Sequence, residues 1–210
     1  MKAFVDPLTE DALTEDALTE DKGALRRAMR ERLAGVPPDA RARAAADVVR
    51  PLLAFVGSAP LVAVFGSMQD ELDTSPLDDA LRTRGIARAV PQVVGPDLRF
   101  RVVPASVRTA DLPRLAFGVP APTVDFVEVP LASCAAVIVP GLAFDAAGGR
   151  CGYGRGFYDR ALVGVDLERC VGLGYDLQVI DDVPMGPADV RLRWLCTPSR
   201  GVVRSATRAP

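Results

Sequence analysis

The run Val137-Ile138-Val139 is apolar and β-branched throughout, and it stops at Pro140-Gly141. That is how a buried strand reads. Five glycines follow, Gly148, Gly149, Gly152, Gly154 and Gly156, and then a helix start at Phe157-Tyr158-Asp159-Arg160-Ala161-Leu162. Strand, loop and helix in that order restrict the fold, because the rest of the chain repeats the alternation. Residues 22–34 read as a helix with Leu25, Met29 and Leu33 on one face, stopped by Gly35 and Pro37-Pro38. A second helix spans 39–55, with a kink expected before Pro51. Residues 61–65 are a strand; Ser75 then reads as an N-cap with Pro76 at the first helical position and Asp78 three residues on, and Gly85 closes that helix. Residues 86–94 and 98–103 read as strands about Gly95-Pro96-Asp97, with further apolar pieces at 170–173 and 192–196. Such alternation predicts a three-layer α/β fold, a largely parallel sheet with helices on both faces. Ligands of such sheets collect at the carboxyl ends of the strands. Residues 67–74 and the glycine segment both sit at such ends, so one cleft can join them.

Glycines let peptide N–H groups close on an anion, and a helix start adds unsatisfied N–H groups of its own. A flexible loop without a ligand is the alternative reading. Neither common nucleotide fingerprint is present: a Walker loop needs Lys and Ser or Thr after its last glycine, and the dinucleotide motif needs a glycine at 157, where Phe157 stands. Arg150 and Arg155 put fixed positive charge into the loop, and Asp159 lies where a metal riding on a phosphate could be held. An acid in a helix's first turn is also favoured by the helix dipole alone.

With 210 residues, 49% hydrophobic and 25% charged, the chain is long enough for one domain with a substantial core. The longest apolar run, 135–144, is about half of a membrane span, and no secretory signal is evident, so a cytoplasmic protein is expected. Four cysteines without C-x-x-C spacing read as free thiols. Cys151, beside arginines, is either a passive loop filler or a thiol of lowered pKa. Histidine is absent, which excludes Ser-His-Asp and Cys-His nucleophilic systems and His-based metal sites. Phosphoryl transfer survives, because there a protein mainly positions groups and neutralises charge. Residues 1–21 hold seven acids and one lysine and repeat LTED at Leu8, Leu13 and Leu18. They read as a solvated, mobile extension or a frayed helix. The remaining 24 basic and 20 acidic residues leave the body at plus four, suited to small anions but without the basic, aromatic-interleaved surface of a nucleic-acid binder.

The segments VPGLAFD (139–145), GGR (148–150) and GYGRGFYDR (152–160) resemble the hallmark of the 5-formyltetrahydrofolate cyclo-ligases, also called methenyltetrahydrofolate synthetases. The likeness extends to SMQDELDT (67–74), FGVPAP (117–122), the K-x-x-x-R spacing of Lys22 and Arg26, and PADVRL (187–192), and so covers about residues 22–197. It implies a cyclo-ligase fold, akin to that of the CoA transferases, in one domain over 22–200, with an acidic extension at 1–21 and a tail at 201–210. It also implies a reaction: ATP phosphorylates the formyl oxygen of 5-formyltetrahydrofolate, N10 attacks the activated carbon, and 5,10-methenyltetrahydrofolate, ADP and phosphate are released.

By the same resemblance, ATP would meet Lys22, Arg26, Arg150, Gly152, Gly154, Arg155, Gly156, Phe157 and Tyr158. The folate would meet Gly66, Glu71, Tyr153 and the shared stretch from Gly154 to Phe157, with Glu71 on the amine-rich edge of the pterin. Arg150 and Tyr158 would be catalytic, and Asp159 and Asp189 would hold Mg²⁺. The partners implied are small molecules only, with no nucleic acid or membrane and with the chain acting as a monomer. Departures are Cys151 where relatives often have Leu, Phe157 where they have Tyr, and Ala135 and Arg193 where acids are common. They question substrate preference more than nucleotide use. Other readings are a paralogue of the same fold using ATP on another substrate and a non-catalytic folate or nucleotide binder.

Overall fold

Strands with no polar alternation must be covered on both faces, and the protein, described here over residues 15–206 of a computed structural model, does this with two unequal layers. In chain order the elements are α1 (Glu15–Ala34), α2 (Pro38–Asp47), α3 (Val49–Val56), β1 (Leu61–Ala63), α4 (Ser75–Thr83), β2 (Ala87–Val94), β3 (Asp97–Val103), β4 (Glu128–Val129), β5 (Ala136–Pro140), β6 (Ala143–Asp145), β7 (Arg150–Cys151), α5 (Phe157–Ala161), β8 (Cys170–Leu173), β9 (Val179–Ile180), β10 (Trp194–Thr197) and β11 (Gly201–Arg204). The main sheet runs β11-β10-β8-β5-β1-β2-β3-β4. Its five central strands, β10 to β2, are mutually parallel, and antiparallel strands flank them on both sides. The expected hairpin forms, with Val94 opposite Asp97 and Gly95 at φ +58° in the turn.

Along β5 the side chains divide by parity, as the pleat requires. Ala136 and Ile138 join the core beneath α2, α3 and α4, together with Val48, Leu52, Val62, Leu77 and Leu81. Val137 and Val139 join the opposite core with Leu131, Phe144, Leu162, Cys170 and Leu192. Helix α1 contributes Met29 and Leu33, both buried, as their spacing predicts.

Several expectations are corrected. Helix α1 begins at Glu15, so residues 15–21 of the expected extension are helical; residues 1–14, with the repeat at Leu8 and the start of the one at Leu13, lie outside the described residues. The second helix is two, α2 and α3, broken at Val48 because Pro51 cannot donate to the Asp47 carbonyl one turn back. Gly201–Arg204, expected in a tail, pairs with β10, which supplies an apolar neighbour for each valine; residues 207–210 lie outside the described residues. The cap of α4 is Thr74 rather than Ser75: the Asp73 carboxylate takes the Ser75 N–H at 2.9 Å, and the Thr74 hydroxyl donates to the Phe65 carbonyl at 2.8 Å.

The glycine segment is more structured than a loop. Strands β6 and β7 form a small hairpin that pairs with β9 in a second sheet, β7-β6-β9, and α5 is only five residues long. So short a helix gathers little macrodipole, and the expected anion site at its N-terminus has to rest on side chains and loop amides instead.

Candidate active site

The turn after β1, residues 67–74, and the segment after β5 both leave the carboxyl ends of adjacent parallel strands. Together with α1 and residues 116–121 they enclose a cleft of about 720 Å³. Every residue that the resemblance assigns to a ligand or to catalysis lines it: Lys22 and Arg26 from α1, Gly66 and Glu71 from the first turn, Arg150, Gly152, Tyr153, Gly154, Arg155, Gly156, Phe157, Tyr158 and Asp159 from the glycine segment, and Asp189 from the approach to β10; Gly148 and Gly149 do not.

The glycines divide by purpose. The Asp145 carboxylate is buried and accepts from the N–H groups of Ala147 and Gly149 at 2.8 Å and Val183 at 3.0 Å. A Cβ on Gly149 would stand 2.2 Å from that carboxylate, so this glycine serves the hairpin turn and not an anion. Gly154 instead faces the cleft at φ +94°, and a Cβ there would stand 3.2 Å from the Arg26 guanidinium carbon. Arg26 donates through Nε to the Gly152 carbonyl at 2.9 Å, fixing α1 to the loop.

Charge in the cleft is paired, but incompletely. Arg150, whose side chain is 3% exposed, donates through Nη2 to Asp159 Oδ1 at 2.7 Å, and the same oxygen accepts the Val190 N–H at 3.2 Å. Lys22 donates to Asp189 Oδ2, which also accepts the Gly186 N–H at 2.6 Å. Arg150 Nε and the hydroxyls of Tyr153 and Tyr158 are buried without a hydrogen-bond partner. Buried polar groups without a partner are uncommon, and these three line one cleft.

Glu71 is buried, and loss of water pushes its carboxyl up to about 7, against the pull of the Met68 N–H that it accepts at 2.7 Å. The Tyr153 hydroxyl lies near enough to Glu71 for each to shift the other's proton affinity, yet it does not reach hydrogen-bond geometry. Burial raises both tyrosines' pKa values, so each stays a neutral O–H donor. Burial also raises that of Cys151, outweighing the nearby cations, which leaves the passive-filler reading and removes the reactive one.

Two residues at the cleft were given no site role by the sequence reading. Arg30, one turn beyond Arg26, places its guanidinium carbon 5.7 Å from the centre of the Tyr153 ring; the four-residue spacing of Lys22 and Arg26 could have pointed to it. Phe117 is 57% exposed, holds φ +60°, and lies beneath Arg155 at 5.2 Å with the Phe157 ring 6.5 Å away. It opens the FGVPAP motif noted in the sequence, which gave it no role. Gly66 has a packing reason as well: a Cβ there would stand 2.7 Å from the Pro120 carbonyl oxygen, so its absence lets residues 119–120 close over the cleft.

Among the described residues no three His, Cys, Asp or Glu side chains cluster as a ready metal cage, and no helix is long and apolar enough to cross a membrane. Asp159 and Asp189, both hard oxygen donors in the cleft, suit a Mg²⁺ ion carried in by phosphates, which needs few protein ligands.

The profile of the 5-formyltetrahydrofolate cyclo-ligase family matches residues 18–198. A protein named 5-formyltetrahydrofolate cyclo-ligase from Escherichia coli K12 is 34% identical over 146 residues, which cover 66% of this chain and 78% of that one. One of the same name from Mycolicibacterium smegmatis is 38% identical over 68 residues, 32% of this chain and 35% of that one. The solved structure of 5,10-methenyltetrahydrofolate synthetase from Aquifex aeolicus superposes with a TM-score of 0.75 at 27% identity, covering 90% of this chain and 95% of its own. A Mycoplasma pneumoniae protein described in the same terms shares the fold at a TM-score of 0.68 and 18% identity, over 85% of this chain and 99% of that one.

Proposed function

The chain belongs to the 5-formyltetrahydrofolate cyclo-ligase family, and from that premise we propose how its cleft divides the family's reaction, the ATP-dependent closure of 5-formyltetrahydrofolate to 5,10-methenyltetrahydrofolate. One observation carries the reading. Glu71 and residues 150–159 line the same cleft, where Arg150 Nε and the hydroxyls of Tyr153 and Tyr158 lack partners.

The formyl oxygen on N5 cannot depart unaided, so the ATP serves to make it a leaving group. That oxygen attacks the γ-phosphorus and ADP leaves; N10 then attacks the formyl carbon, phosphate departs with the former formyl oxygen, and the N10 proton passes to that phosphate or to water. Lys22, Arg26, Arg150 and Arg155 hold phosphate oxygens, and charge-assisted contacts of about 1.5 to 3 kcal/mol each make every one of them count. Arg150 is the catalytic cation, because its unpartnered Nε is free to follow the charge that grows on the transferring phosphoryl group. Tyr158 donates its O–H to the oxygen that bears the charge, a role its raised pKa protects. Glu71 accepts from the pterin's N–H groups, with Tyr153 beside it, Gly66 at the floor and Phe157 as the apolar wall that Gly154 and Gly156 leave open to both ligands. Asp159 and Asp189 would hold a Mg²⁺ ion, which when bound neutralises phosphate charge. Enclosure keeps water from the activated intermediate.

Purified protein given 5-formyltetrahydrofolate, ATP and Mg²⁺ is expected to produce the ultraviolet absorbance of the methenyl product with one ADP per turnover. ADP without that absorbance would sink the folate assignment, and neither product would sink the catalytic one.

A further inference from the structure

Four of the residues assigned above are paired with one another, and the pattern is not random. Lys22 is paired with Asp189 and Arg150 with Asp159. Each pair joins a cation of the phosphate set to an acid of the metal set. The first ties α1 to residues 167 positions further along the chain. Both are largely withdrawn from water, with side-chain exposures of 13% and 18% for Lys22 and Asp189 and 3% and 19% for Arg150 and Asp159. Salt screens such pairs less than exposed ones. Neither is a finished structural pair, since Arg150 keeps Nε unpartnered. Around them, among the described residues, five cationic side chains (Lys22, Arg26, Arg30, Arg150, Arg155) face four acids (Asp70, Glu71, Asp159, Asp189).

We propose that the Lys22–Asp189 and Arg150–Asp159 pairs make the cleft selective for metal-bound over metal-free nucleotide, through an exchange of ionic partners. The proposal rests on the assignment of ATP and Mg²⁺ to this cleft. A metal-free triphosphate can reach Lys22 and Arg150 only by stripping each from its carboxylate. Two carboxylates are then left uncompensated beside further negative charge, in a site where an unpaired charge is costly. A metal-bound nucleotide trades partners one for one: phosphate oxygens take the cations, and the released carboxylates face a divalent ion. The same acids thus repel the wrong form of the ligand and receive the right one.

Calorimetric titration separates this exchange from simple repulsion. ATP in excess EDTA and ATP with Mg²⁺ are titrated into the wild-type protein, Asp189→Asn, Lys22→Met and the double variant. Asparagine keeps an oxygen for the Gly186 N–H that Asp189 accepts, so the turn is preserved. Asp159→Asn is the second probe, and likewise keeps an acceptor for the Val190 N–H. Asp189→Asn and Asp159→Asn are each expected to bind metal-free ATP roughly three- to fivefold more tightly than the wild type, while binding the metal-bound form less well. In the Lys22→Met background the gain from Asp189→Asn should shrink, because no pair remains to be broken. Metal-free ATP binding that is unchanged or weaker in both asparagine variants would overturn the proposal. An undiminished gain in the Lys22→Met background would overturn it too, leaving charge repulsion alone. Wild-type protein that binds neither form of ATP would instead overturn the nucleotide assignment on which the proposal rests.

Discussion

Two buried arginine–aspartate pairs are built from the same side chains and differ in how completely they are satisfied. Arg88, with no exposed side-chain surface, donates Nε to Asp78 at 2.7 Å, Nη1 to the carbonyls of Val103 and Pro104 at 3.3 and 3.0 Å, and Nη2 to that of Val107. Asp78 in turn accepts the N–H of Thr109 at 3.0 Å and its hydroxyl at 2.5 Å. Every guanidinium nitrogen is used, and the pair pins the chain leaving β3 against α4. Arg150 is buried almost as deeply but leaves Nε idle, and its partner Asp159 faces the cleft. The Arg88 pair is saturated, which suits it to holding the fold, and the Arg150 pair is not, which suits it to the ligand role proposed above. Burial alone does not tell them apart.

The contrast breaks most visibly through stability. Asp78→Ala leaves the Arg88 charge buried and unpaired and should cost about 3–5 kcal/mol of folding free energy; a denaturant midpoint close to that of the wild type would remove the structural half of the contrast. Arg150→Met should instead cost less stability, because the Asp159 it releases faces the cleft and keeps the Val190 N–H, while lowering kcat by about 10²–10³. An early-melting but active Arg150→Met would reverse the two roles.

Smaller and pH-dependent is the effect at Glu71. In the free protein this carboxyl titrates at about 7, above its ordinary 4.5. Since the pterin's donors need the ionised form, folate affinity should rise with pH through about 7 and fall roughly tenfold per unit below it, with one proton released on binding in acid. For the ligand-free protein the sign is the other way. A raised carboxyl pKa favours the fold below about 4.5, and that contribution declines as pH climbs to about 7. Glu71→Gln should bind folate more weakly at neutral pH and with a flat profile, and a flat profile in the wild type would remove Glu71 from the pterin site.

Much of the architecture was legible from local pattern. The parallel strands β1, β5 and β8 fall on the apolar runs 61–65, 137–139 and 170–173 between breakers, and the Leu25, Met29 and Leu33 stripe reports its own buried face. The small second sheet was not legible, because strands of two or three residues such as β6, β7 and β9 carry no period to read. Asp78 looked like a helix-start acid because its partner Arg88 belongs to another element. The residues of the cleft were legible because they recur in family motifs, whereas the pairing of Lys22 with Asp189 spans 167 positions and leaves no local trace. Phe117 owes its place to the tertiary course of residues 104–127 and to Gly66 yielding room beneath Pro120.

The Asp145 clamp has a consequence for motion. Its carboxylate ties the hairpin to Val183; Leu192 bonds back to Gly148 at 2.8 Å, and Asp159 holds Val190. Those three ties make residues 145–159 and 183–192 a single stiff anvil. Helix α1 is tied to the same body through Arg26 to the Gly152 carbonyl and Lys22 to Asp189, so any closure over the cleft falls to the stretch around Phe117, the part left to act as the hammer.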